Sequence, residues 1–164
     1  MQIKKLVTIL LSSLFFFGCT PDDPIFHDTD GHSIQRTQLK NKWIIVNYWA
    51  TWCPSCIKEI PELNHFYKDN LDEQVLLYSV NYDRLSLAKL KIAIDKTAIA
   101  FPTLIENPNV AWRLGDISIL PVTFIINPDG EVVRKILGPN TEESLSNTLH
   151  EIQVAYSHAH HEKI

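Results

Sequence analysis

Two cysteines separated by two residues, Cys53-Pro54-Ser55-Cys56, are the residues whose type and spacing most plainly allow chemistry. A thiolate attacks a disulfide sulfur, and a second thiol held close by can then attack the mixed disulfide from within. Such a pair closes too small a loop to serve as a structural staple. The competing reading is half of a zinc site. A tetrahedral site needs four ligands, and the only other cysteine, Cys19, lies 34 positions upstream. His65 is an isolated residue far along the same segment. The reading therefore favours redox chemistry over metal, with no metal site and no cofactor beyond the cysteine pair itself.

The elements around the pair suit that chemistry. Trp43-Ile-Ile-Val-Asn-Tyr-Trp49 is a nearly continuous apolar run, the pattern of a strand buried on both faces. Pro54 to Asn70 carries a helical period, with Ile57, Ile60, Leu63, Asn64 and Tyr67 on one side and Pro61 expected to kink it. Cys53 then falls at the helix N-cap and Pro54 at the first helical position, where proline is tolerated. Unpaired N–H groups and the positive end of the helix dipole point at the Cys53 sulfur and favour its thiolate. The free cysteine value is about 8.5. Cys56, one turn further in, is expected to be buried and Cys53 accessible. Leu120-Pro121 precedes the apolar run Val122 to Ile126. Proline is tolerated at a strand start, and a cis bond there would bring its backbone against the cysteines.

The rest of the chain reads as alternating strands and helices. Ile25 to Ile34 contains Asp30-Gly31, a hairpin signal. Val75 to Val80 reads as a buried strand and Leu85 to Lys96 as a helix with Leu87, Leu90 and Ile94 on one face. Phe101 to Ile105 reads as a short strand and Pro108 to Leu114 as a helical turn. Glu131 to Leu137 pairs back across the turn Asn127-Pro-Asp-Gly130. Thr141 to Ala155 closes the fold as a helix, with Thr141 and Ser144 offering capping hydroxyls. This alternation predicts an α/β fold, a central mixed sheet flanked by helices, parallel in the middle and antiparallel at one edge. Hydrophobic residues at 45% and charged residues at 21% can fill one core. The domain is expected over residues 25–155, with a solvated tail over 156–164.

The first residues differ from this balance. Lys4 and Lys5 precede the uncharged run Leu6 to Phe17, 12 residues long. A bilayer-spanning helix needs roughly 20 apolar residues, so the run suits the h-region of a signal peptide. Gly18-Cys19 ends it, and residues 1–18 resemble a bacterial lipoprotein signal, in which Cys19 becomes the lipidated first residue. Phe16 and Phe17 depart from that pattern. Lipidation also accounts for the odd cysteine. Residues 19–24 read as a short tether to the lipid bilayer. The net charge of −4 and the lack of a basic patch argue against nucleic acid as a partner.

Together these stretches resemble the thioredoxin superfamily. More closely, they resemble the TlpA/ResA branch of membrane-tethered extracytoplasmic thioredoxins. The matching residues are Val46 to Cys56, Lys58-Glu-Ile-Pro61, Ser79-Val-Asn-Tyr-Asp83 and Leu120 to Gly130. The resemblance implies a thioredoxin-like fold in which Leu85 to Ile105 is a helix–strand insertion ahead of a cis-proline at Pro121. It implies Cys53 as nucleophile, Cys56 as resolving thiol, and Trp52, Leu120 and Pro121 as substrate-binding residues. Cytoplasmic thioredoxins carry a buried aspartate where this chain has Asn47. Glu59 matches the glutamate that serves in its place in this branch; on residue type alone it reads equally as a solvated helix residue. Pro54-Ser55 and Val122 depart from common members. The implied activity is thiol–disulfide exchange outside the cytoplasm, on a membrane anchor. A membrane thiol donor would supply electrons for reducing oxidised exported proteins, with apocytochrome c in cytochrome c maturation the best-known task. General disulfide reduction or isomerisation follows closely. The rivals are a disulfide-forming oxidase, disfavoured because Pro54-Ser55 lacks the histidine of strong oxidants, and a peroxidase, which would place a reactive cysteine outside a paired motif. A copper-binding chaperone would use a longer cysteine spacing, with His158, His160 and His161 as the remaining metal candidates.

Overall fold

The computed structural model describes residues 24–70 and 74–161. The N-terminal leader 1–18, Cys19 and all but the last residue of the tether lie outside them. Among the described residues, seven strands and five helices follow in chain order. They are β1 (Pro24–His27), β2 (Ser33–Gln35), α1 (Arg36–Leu39), β3 (Trp43–Trp49), α2 (Pro54–Asp69) and β4 (Val75–Asn81). Then come α3 (Leu87–Thr97), β5 (Thr103–Leu104), α4 (Asn109–Trp112), β6 (Val122–Ile126), β7 (Val132–Leu137) and α5 (Glu142–His161). The main sheet has the order β5-β4-β3-β6-β7. β3 is central because every one of its residues is buried. It pairs in parallel with β4 through the α2 crossover and antiparallel with β6. The expected mixed sheet with an antiparallel edge is the sheet observed, and α3 and β5 form the expected insertion.

Alternation along β3 divides the core. Ile45 and Trp49 pack with Leu63 and Phe66 of α2, Leu90 of α3 and Leu145 of α5. Val46 and Tyr48 face the other way, onto Phe26 and Ile34 of the β1–β2 hairpin and Leu114. The hairpin also covers the β5 edge: Thr29 N–H donates to the Thr103 carbonyl and Ile105 N–H to that of His27. Covering an edge in this way removes a template for wrong pairing.

Three expectations need correction. Of the expected α2 face, Ile60 and Leu63 are buried and Ile57 and Tyr67 are half-buried against the core, but the buried face is completed by Cys56, Glu59 and Phe66 and not by Asn64. A face judged by apolar type alone excludes Glu59, whose burial depends on hydrogen-bond partners elsewhere. Asn64 is held by the chain after α3, donating to the Ala98 carbonyl and accepting from Ala100 N–H. α3 buries Leu90 and Ala93 and leaves Leu87 exposed. The closing helix runs to His161, not Ala155, with residues 157–160 exposed along the extension. Its start is as expected: Thr141 and Ser144 exchange backbone-to-hydroxyl hydrogen bonds of 3.1 and 2.9 Å. Its extension is held by Tyr156, whose ring meets Trp43 edge-on at 5.3 Å and whose hydroxyl donates to Asp129 at 3.0 Å. His160 stacks on Tyr156 at 3.9 Å and its Nε2 lies 3.3 Å from Asp129.

Tyr156→Ala removes a half-buried ring, its aromatic partner and one hydrogen bond. Denaturant unfolding should show a loss of about 2 kcal/mol, against no measurable loss for the exposed Ser157→Ala. Equal stability of the two variants would mean that the extension contributes nothing.

Candidate active site

The active-site loop begins where β3 ends. Trp49 accepts from Tyr82 N–H through its carbonyl at 2.8 Å, and Cys53 N–H donates to the Ala50 carbonyl at 3.2 Å. These bonds turn the chain from the central strand into α2. Cys53 is the N-cap and Pro54 the first helical residue, as the sequence predicts. Cys53 and Cys56 form a disulfide. Cys56 N–H points at Cys53 Sγ over 3.2 Å, and the Ser55 hydroxyl lies 3.5 Å from the same sulfur. When the pair is reduced, that N–H and the helix dipole favour a thiolate on Cys53.

The expected accessibility of Cys53 is not what the oxidised structure shows: Cys53 is 4% exposed and Cys56 1%. Cys56 faces the core from the first turn of α2, and the disulfide ties Cys53 to it. Both cysteines belong to the core cluster against which Leu120 packs. Trp52 is exposed on the loop, at 63%, as are Thr51 and Pro54.

Asp83 holds this loop from the end of β4, a role not read from the sequence although the residue lies in one of its motifs. Its carboxylate accepts from the Trp52 indole N–H at 2.6 Å and from the Thr51 backbone N–H and hydroxyl, each at 3.1 Å. Asp83 N–H in turn donates to Asn81 Oδ1. Leu120-Pro121 is a cis peptide. Val122 pairs with Tyr48. Pro121 therefore lies one step beyond, at the end of β3 that leads into the cysteine loop, while Trp52 stands on the outer side of that loop.

Glu59 is 2% exposed. Its Oε2 accepts from Asn47 Nδ2 at 3.1 Å, and its Oε1 accepts from both the backbone N–H and Nδ2 of Asn140 at 2.8 Å. Both amide groups also donate to Thr123 Oγ1, at 3.0 and 3.1 Å. Asn47 is in register with Ser79 on one side and Thr123 on the other, and Ser79 with Thr103. A row of buried polar side chains thus crosses four strands beneath α2. Burial pushes the Glu59 carboxyl above its ordinary value, and the bonds from Asn140 and Asn47 offset part of that rise. The sequence signalled Glu59 and noted Asn47. Thr123 lies in a motif stretch without a role of its own, and Asn140 carried no signal: it is 81 positions from Glu59.

Metal-binding chemistry is less well served. Asp28, Asp30 and His32 could gather three ligand atoms at the β1–β2 turn. The Asp28 carboxylate already accepts from the N–H groups of Asp30 and His32 and pairs with His32 Nδ1, which describes a hairpin turn held by its own side chain. His160, one of the sequence candidates, is bonded to the Tyr156 carbonyl and to Asp129. His65 is exposed on α2.

The raised Glu59 value has a consequence for stability. The native state holds the Glu59 proton more tightly than the unfolded chain, so stability falls as pH rises from the ordinary value of 4.5 through the raised one. Glu59→Gln cannot titrate. The stability of the variant relative to the disulfide-form wild type should therefore improve as pH rises from the ordinary value of 4.5 through the raised one. Parallel stability–pH curves would show an ordinary carboxyl.

The comparisons agree with the geometry. The model of the AhpC/TSA family matches residues 20–135. The thiol–disulfide oxidoreductase ResA of Bacillus subtilis (strain 168) is 31% identical over 129 residues, covering 79% of this chain and 72% of that protein. The crystal structure of StoA from Bacillus subtilis superimposes with a TM-score of 0.64 at 26% identity, over 77% of this chain and 98% of that one. A thioredoxin-family thiol:disulfide interchange protein from Chlorobium tepidum TLS gives 0.60 at 27% identity, over 77% and 91%. With its thioredoxin fold and its disulfide at the head of α2, the chain belongs to the AhpC/TSA family and, within it, to the ResA-like thiol–disulfide oxidoreductases.

Proposed function

We propose that this oxidoreductase works outside the cytoplasm as a reductant of disulfides in exported proteins, on a lipid anchor at Cys19. The observation that carries the reading is the Cys53–Cys56 disulfide at the N-terminus of α2, beside the cis Leu120–Pro121 peptide. In the reduced protein the Cys53 thiolate attacks one sulfur of a substrate disulfide. A Cys53–substrate bond forms, and the other substrate sulfur leaves as a thiolate that takes a proton. Cys56 then loses its proton and attacks Cys53 Sγ. The second substrate thiol departs, and two electrons have passed from the protein pair to the substrate. Glu59, a buried carboxyl one turn beyond Cys56, is the group suited to take the Cys56 proton and return it to the leaving sulfur. Trp52, Leu120 and Pro121 border the cysteines and form the surface against which an extended substrate segment lies.

The direction rests on Pro54-Ser55, which lacks the histidine of strong oxidants. A membrane thiol carrier is the electron source this direction needs, and the haem-attachment cysteines of apocytochrome c are the substrate that the family resemblance puts first. The anchor is assigned to Cys19 on the strength of Gly18-Cys19 and the charged, then apolar, leader.

The reduction potential of Cys53–Cys56 against glutathione should lie nearer the thioredoxin value of about −270 mV than the about −120 mV of a strong oxidant. A value at the oxidising end would reverse the proposed direction. Cys56→Ser should accumulate mixed disulfides with exported proteins in the membrane fraction, since the internal attack is lost, and Cys53→Ser should accumulate none. Adding Cys19→Ala should release those adducts from the membrane. Adducts that stay bound in the same processed form would exclude lipidation.

A further inference from the structure

Glu59 is an anion site built from neutral groups. Asn140 supplies two of its three hydrogen bonds, both at 2.8 Å and both to Oε1. It comes from the Gly138-Pro139-Asn140 link between β7 and α5, and it is 5% exposed. Its second amide hydrogen goes to Thr123 Oγ1, which also accepts from Asn47. With both side-chain hydrogens and its backbone N–H committed, Asn140 has one orientation available. The carboxylate it holds is therefore fixed between β3, β6 and the head of α5. On its outer side Asn140 lines a surface cleft with Arg134 and Lys135 of β7 and Ser144, Thr148 and Glu151 of α5. It stands between that solvent-filled cleft and Glu59.

We infer that Asn140 is a positioning residue of the exchange reaction: it holds the Glu59 carboxylate in its charged form beneath Cys56, and so sets the pH range over which Glu59 takes and returns the proton. The inference rests on the proton role proposed for Glu59. The groups around Glu59 are consistent with control by hydrogen bonding. β3, β4 and β6 offer the neutral Asn47, Ser79 and Thr123. On α2, Lys58 precedes Glu59 in sequence and is exposed, and Cys56 and Glu62 lie three residues to either side; Glu62 accepts from Glu142 N–H of α5. Arg134, Lys135 and Glu151 lie in the cleft beyond Asn140. Removing a donor from an anion costs the charged form directly, whereas the protonated carboxyl loses less.

The test uses the full chain as wild type, Asn140→Ala, Glu59→Gln and the double variant, with Asn140→Ser as a milder replacement if the alanine variant does not fold. Carbon-13 NMR of the glutamate carboxyls in the disulfide form reads Glu59 directly. Its midpoint should rise by about one pH unit in Asn140→Ala, the size expected for one lost charge-assisted hydrogen bond. The pH profile of disulfide exchange by the reduced protein should move in the same direction. In the Glu59→Gln background Asn140→Ala should leave the profile where it is. A folded Asn140 variant with an unmoved Glu59 midpoint would overturn the inference and leave the Glu59 role standing. A profile shift that survives in the double variant would overturn it too, since Asn140 would then act by another route. A moved midpoint with a Glu59→Gln profile like wild type would remove the proton role itself, and the inference with it.

Discussion

A carboxylate buried without a cation is the interaction on which the active-site end of this fold depends. Isolated burial of an ionised carboxyl is costly enough that the group normally neutralises. Here the side chain is retained in the core because three N–H bonds from two asparagines meet it, and because a hydroxyl on β6 takes the second hydrogen of each amide. The network joins α2 to the central strand, to its antiparallel neighbour and to the link that starts α5. The orientation of α2 over the sheet therefore depends on polar satisfaction as well as on the packing of Leu63 and Phe66. A network of this kind is high-stakes: with every member paired it holds one arrangement, and with one member missing the rest are left desolvated.

The opposite end of the same turn has a different logic. Cys53 sits where helix N–H groups are unpaired by construction, so its sulfur needs no charged neighbour to favour ionisation. Asp83 places a full negative charge on the adjacent loop, but its oxygens are already taken by Trp52 and Thr51. Its effect is conformational: it pins the indole outward and the loop backbone in place, so the exposed Trp52 is fixed without being buried.

Local patterns carried much of this into the sequence. The paired cysteines, the strand ahead of them and proline at the first helical position are all near neighbours, and their geometry follows from the rules of a helix start. Val122 to Ile126 and the Thr141–Ser144 cap are readable for the same reason, whereas the cis bond at Leu120-Pro121 is legible only beside the cysteine pair and through the family resemblance. The errors were tertiary. The buried face of α2 was drawn through apolar residues, yet Glu59 takes a core position because Asn47, Thr123 and Asn140 converge on it from 12 to 81 positions away. Asn140 itself, after Gly138-Pro139, looks like any loop residue. The helix continues past Ala155 because Tyr156 finds Trp43 at the start of the central strand and Asp129 at a distant turn, partners that the local sequence does not reveal. Reasoning about a free N-cap thiol does not include the disulfide to Cys56, in which Cys53 is buried.

One helical turn therefore carries a gradient of proton affinity. At its head the dipole and the Cys56 N–H lower the cost of a negative charge on Cys53. Further in, Cys56 lies in the core, and the next turn brings the Glu59 carboxyl, itself pushed toward its protonated form by burial. A negative charge on Glu59 opposes a second one on Cys56. In the proposed mechanism Cys53 is the sulfur that ionises first and meets the substrate, and Cys56 ionises when a proton acceptor is ready beside it. That order suits a two-step exchange. An early Cys56 thiolate would re-form nothing useful before a substrate is bound, while one delayed until the mixed disulfide exists attacks the sulfur three residues away. The separation comes from position alone: both residues are cysteines on one helix, and their difference arises from where the helix starts and what the sheet places beneath it.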